Sequence, residues 1–117
     1  MSTNETITLT NNISIDVYYN VCSDGECYGS LCLNIHDPFV TFNLNDVDYK
    51  NDWILARNKV MNNKSFSLGT NNCIKYHGEL IFQNIVGGYS NCVVKLNVDR
   101  EKMLEIINTI FSVFKYE

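Results

Sequence analysis

From Ile13 to Val21 the odd positions Ile13, Ile15, Val17, Tyr19 and Val21 are apolar, while Ser14, Asp16, Tyr18 and Asn20 fill the even ones. That period of two marks a half-buried strand with its odd side chains inward. Leu31, Leu33 and Ile35 alternate in the same way with Ser30, Cys32 and Asn34. Between the two runs lies Cys22-Ser23-Asp24-Gly25-Glu26-Cys27, a turn signal flanked by cysteines.

Two registers compete for this hairpin. A two-residue Asp24-Gly25 turn would set Cys22 opposite Cys27, but it would pair odd with even positions and throw Leu31 and Leu33 onto the wrong face. A three-residue Ser23-Asp24-Gly25 loop pairs Cys22 with Glu26 and Val17 with Leu31, so both apolar faces agree. Several buried aliphatic side chains at about 1.5–3 kcal/mol each outweigh a disulfide closing so small a loop. The second register is therefore expected, with Cys27 in the core, Cys22 and Cys32 on the outer face, and neither a disulfide nor a zinc site built from Cys22, Cys27, Cys32 and His36.

Further along, Asp37-Pro38 marks a turn and Phe39 to Leu44 a strand with Val40, Phe42 and Leu44 on one side. Asn45 to Asn51 is polar and loop-like. Residues 52–61 fit either period: Trp53, Arg57, Val60 and Met61 make a helical stripe behind an Asp52 cap, whereas Trp53, Leu55 and Arg57 make a strand, which is the reading taken here. Ile74, Tyr76, Leu80 and Phe82 hold even parity through Gly78, predicting one long strand bent at the glycine, with Cys73 outward. The turn in Asn84–Asn91 follows, then a last strand with Cys92, Val94, Leu96 and Val98 inward.

The sharpest local signal is at the end of the chain. Asp99 is a good N-cap, and Val98 with Met103 is placed as a hydrophobic staple. Met103, Leu104, Ile107, Ile110, Phe111 and Phe114 then form the apolar stripe of a helix whose other face carries Glu101, Glu105, Asn108 and Ser112. The expected fold is α+β: about six or seven antiparallel strands, as a sheet or partly open barrel, with this amphipathic helix packed on it. That order of elements is similar to the pleckstrin-homology-like barrel, though no motif of that family occurs.

Composition narrows function mainly by exclusion. The 117 residues suit a single domain, and 45% hydrophobic with 19% charged residues suits a globular one. The net charge of −4, with the lysines scattered singly along the chain, speaks against nucleic acid as a partner. No apolar run approaches a membrane span and the start lacks a signal-peptide pattern, so an intracellular, cytoplasmic protein with reduced thiols is expected. Abundant Asn, Ile, Tyr and Phe beside single Ala and Pro residues suggest an AT-rich genome, such as that of a phage, a large DNA virus, a low-GC bacterium or some protists.

Among motifs that carry chemistry, a P-loop, a dinucleotide fingerprint, a nucleophile elbow and H-E-x-x-H are all missing from the sequence. Cys32 with His36 and Cys73 with His77 are spaced four apart, which on a strand separates them by about 13 Å, too far for a Cys-His pair. No catalytic, cofactor-binding or metal residue is assigned. The candidate interaction residues are Tyr18 and Tyr28, diagonal neighbours on the outer face of the first hairpin, and Trp53. The expected function is a non-enzymatic protein–protein interaction module, for instance an inhibitor, immunity or accessory protein binding another protein. The alternatives are a self-assembling homo-oligomeric subunit and a small ligand-binding barrel or enzyme.

Overall fold

A computed structural model describes residues 2–21, 27–36, 39–44 and 51–114. Each half of the chain is a four-stranded antiparallel meander followed by a helix. The first half comprises β1 (Ser2–Thr10), β2 (Ile13–Val21), β3 (Cys27–His36), β4 (Phe39–Asn43) and α1 (Asn51–Met61). The second comprises β5 (Phe66–Leu68), β6 (Asn72–Tyr76), β7 (Glu79–Val86), β8 (Tyr89–Asn97) and α2 (Arg100–Phe114). Strands neighbour one another in chain order within each sheet.

The first hairpin adopts the register that keeps both apolar faces together: Ile15 pairs with Leu33 and Val17 with Leu31, and all four are buried. The connecting loop, with Cys22 to Glu26, lies outside the described residues, as do the Asp37-Pro38 turn, residues 45–50 and the side chain of Cys27.

The structure corrects the expected architecture in four places. Among the described residues there are two separate sheets, eight strands in all, and two helices, and the sheets do not close into a barrel. The strand over Ser2–Thr10 escaped the pattern because only Ile7 and Leu9 alternate clearly among its polar residues. Residues 52–61 belong to a helix rather than a strand: Trp53, Ala56 and Val60 are buried at spacings of three and four, whereas Leu55 and Met61 are exposed. That helix stops in a Schellman arrangement. Lys64 N donates to Lys59 O at 2.7 Å and Asn63 N to Val60 O at 3.2 Å, with Asn63 left-handed at φ 58°.

The third correction is that Cys73 to Phe82 is not one bent strand. Tyr76 pairs with Leu80 and Ile74 with Phe82, a hairpin turning at His77-Gly78 where Gly78 has φ +71°. A hairpin that pairs even with even positions preserves parity as faithfully as a continuous strand does, so alternation alone does not separate them. The fourth concerns β8. Phe82 pairs with Val94 but Gln83 with Cys92, so Val93 is the extra residue of a bulge. The bulge turns Val93 toward the core, leaving Cys92 exposed rather than inward. The turn at Gly87-Gly88, both residues with positive φ, is the one expected from the sequence.

Helix α2 is placed as its pattern predicts. Asp99 caps it by accepting from Lys102 N at 2.8 Å, and Met103, Ile106, Ile107, Ile110, Phe111, Val113 and Phe114 are buried. It lies against β1 and β2 of the first sheet and against α1, while α1 lies against β5 of the second. Each half therefore lends its helix to the other half's sheet. One hydrophobic cluster runs through both halves, from Ile7, Ile15 and Leu33 to Phe82, Ile107 and Ile110.

Candidate functional site

On the face of the first sheet turned away from the core, the described side chains are polar apart from Tyr18 and Cys32. Strand pairing lays it out in rows: Thr6, Asp16, Cys32 and Asn43 in one, Thr8, Ser14, Asn34 and Thr41 in the next. Asp16 knits these rows together. One carboxylate oxygen accepts from Thr6 Oγ1 at 2.6 Å and the other from Asn34 Nδ2 at 2.6 Å. Ser14 Oγ meets His36 Nε2 at 3.1 Å. Ser14 and Asn34 are buried although they face away from the core, so their neighbours across the strands cover them.

Tyr18 stands beside this network and is 43% exposed. Its phenol is held above its ordinary pKa, first by the Asp16 carboxylate, then by partial desolvation, with Cys32 and a hydrogen bond to Asp16 adding to the effect. Cys32 is half-buried, its thiol donating toward Asn34 Oδ1 at 3.5 Å. Burial pushes that thiol up, which disfavours the nucleophilic thiolate.

The sequence-derived candidates separate. Tyr18 is exposed on the outer face as expected. Tyr28 sits opposite Asn20 in the strand register, two residues along from the Ser30 that faces Tyr18, but its side chain lies outside the described residues. Trp53 is 1% exposed and meets Phe66 edge-on at 6.3 Å; as a core residue it presents no surface to a partner. Cys73 occupies the face opposite Ile74 as anticipated, yet it is buried too, because the turn at Thr70 folds over it and accepts its thiol at 2.9 Å.

His36 is engaged by Ser14, but the Asp16 carboxylate is committed to Thr6 and Asn34, so no described carboxylate orients His36 into a triad. Neither Cys-His pair forms a contact: Cys32 turns to Asn34 and Cys73 to Thr70. No group of three His, Cys, Asp or Glu with metal-binding geometry occurs among the described residues. No described helix is long and apolar enough to cross a membrane.

One feature escaped sequence reasoning altogether. Lys59, Lys64, Lys75 and Arg100, well separated along the chain, line two adjoining grooves where α1 ends and α2 begins. Compared with protein-family models, curated proteins and solved structures, the chain matches none.

Proposed function

We propose that this chain is a small non-enzymatic protein–protein interaction module that engages another protein through the outer face of its first sheet. The observation behind this reading is Tyr18, 43% exposed among side chains already immobilised by mutual hydrogen bonds. A tyrosine anchor on a prearranged polar surface loses little freedom on binding and supplies both apolar area and a hydroxyl. An inhibitor, immunity or accessory role in a virus, a phage or a low-GC bacterium fits such a surface. The test replaces Tyr18 with a photo-crosslinking phenylalanine derivative in the source organism's extract. A discrete crosslinked heterologous protein, absent when the probe stands at exposed Glu101 on α2, is the expected result; identical products from both positions, or none, would overturn the assignment.

A second reading, self-assembly, draws on a different observation. The outer edge of β8 is nine residues long and pairs with no other strand among the described residues, and Val86 and Tyr89 beside its turn are 61% and 78% exposed. Such an edge can pair with its own copy, although Lys95 on the strand, 3.5 Å from Glu79, is a charge of the kind that discourages it. Sedimentation at rising concentration tests this: a monomer throughout rejects it, and a dimer abolished by Tyr89→Lys supports it.

A further inference from the structure

The two grooves at the α1–α2 end form one continuous surface. The first, about 430 Å³, is bordered by Lys64, His77 and Arg100 together with the Asp99 cap. The second, also about 430 Å³, is bordered by Lys59, Lys75 and Ser67. They share Ser65, Tyr76 and His77. Val60 and Val98 in the first and Phe66 and Ile81 in the second provide apolar walls.

Among the described residues, the cations of this surface have no carboxylate partner. In a chain with nine Lys and Arg against 13 Asp and Glu, cations would be expected to find carboxylates. Lys95 does so with Glu79, and Lys102 with Glu105, while Arg57 lies over the Phe111 ring at 4.5 Å. None of Lys59, Lys64, Lys75 or Arg100 has an ion pair among the described residues. Arg100 instead donates to the neutral Asn63 side chain, which ties it to the end of α1 without cancelling its charge. Asp99, the single carboxylate among the described wall residues, is engaged by the α2 backbone.

We infer that this groove binds an acidic, extended peptide segment of a partner protein. The layout favours a peptide over a compact anion. Lys59 and Lys75 belong to one groove and Lys64 and Arg100 to the other, so the positive charges are strung along a path instead of converging on one point, with serine hydroxyls and apolar walls between them. A long nucleic acid would meet the excess negative charge over the rest of the molecule. Charge complementarity of this kind chiefly sets association rate and partner choice.

The inference rests on the protein-interaction reading above but not on Tyr18, and its test keeps the two apart. The probe is a fluorescein-labelled peptide of alternating Glu and Gly, titrated with the full chain at low ionic strength and followed by anisotropy. Saturable, salt-sensitive binding is expected. It should weaken about tenfold in Lys59→Gln/Lys64→Gln/Lys75→Gln, a few-fold per exposed charge. Because Lys75 is half-buried, the double variant Lys59→Gln/Lys64→Gln, both exposed, should show the same trend with folding undisturbed. Lys95→Gln/Lys102→Gln removes equal charge elsewhere and should leave binding unchanged, as should Tyr18→Ala. Absence of saturable binding, equal weakening by the Lys95/Lys102 control, or tighter binding of inorganic phosphate or a single-stranded oligonucleotide would each overturn it. A peptide bound normally by Tyr18→Ala, in a protein whose Tyr18 crosslinks nothing, would reject the sheet-face assignment and leave the groove standing.

Discussion

The ring of Phe42 in β4 meets the ring of Phe82 in β7 edge-on, with centroids 5.8 Å apart and planes at 83°. Those strands belong to different sheets, so this contact, together with the Asn72 Nδ2 to Asn43 O bond of 2.7 Å nearby, joins the two halves. Phe82 is fully buried. Phe82→Ala is expected to cost about 3–5 kcal/mol, and Phe42→Ala combined with it should cost less than the sum, with a coupling of about 0.5–1.5 kcal/mol. Chemical denaturation of the four proteins of this cycle checks both figures; strict additivity would mean that the sheets are held by other contacts.

Asn63 supports a prediction about helix termination. Its left-handed φ of 58° costs a residue with a Cβ about 1–2 kcal/mol, a penalty that asparagine escapes in part and glycine entirely. Asn63→Ala should therefore destabilise by about 1 kcal/mol or more, and Asn63→Gly by less, although both lose the contact with Arg100. Thermal unfolding of the pair isolates the backbone contribution, since the side-chain loss is common to both.

The same physics explains what the sequence did and did not reveal. Helix α2 was legible because cap, staple and stripe are local and agree, and the β2–β3 register because one slip would expose Leu31 and Leu33. Helix α1 was not, since exposed Leu55 and Met61 blur its stripe. The β6–β7 hairpin hides in the parity it conserves, and the bulge at Val93 reverses the face of Cys92 without leaving a mark in the alternation. On the site side, Tyr18 was readable from its even position. The basic groove was not, because only the meeting of α1, the β6–β7 turn and α2 gathers its cations.

The three described cysteines should differ in reactivity in the order of their burial. Cys92 is exposed, Cys73 is 2% exposed with its thiol bonded to Thr70 O, and Cys32 is half-buried with its pKa raised by desolvation. In the native protein at mildly alkaline pH, iodoacetamide should modify Cys92 at least about tenfold faster than Cys73 or Cys32, one tenfold step corresponding to about 1.4 kcal/mol of protection. Peptide-level mass spectrometry over a time course reads each site separately. Comparable rates at Cys73 and Cys92 would contradict the fold of the Thr70 turn.

Tyr76 makes alkaline stability a sensitive reporter of the same end of the molecule. Its hydroxyl donates to Val98 O at 2.8 Å in a buried setting. Burial chiefly raises its pKa above 10.0; Asp99 adds to the rise and Arg100 partly offsets it. A phenol whose folded pKa exceeds its unfolded one stays protonated longer in the native state. The stability it contributes is therefore intact below pH 10, the unfolded value, and drains away as pH climbs through the folded value. Tyr76→Phe should lose about 1 kcal/mol at neutral pH, where the hydrogen bond is intact, and show a shallower decline above pH 10 than the parent. Urea midpoints across neutral to strongly alkaline pH measure both effects. Parallel curves with a constant offset would show that the phenol titrates alike in both states, and that the bond to Val98 contributes without linkage to the proton.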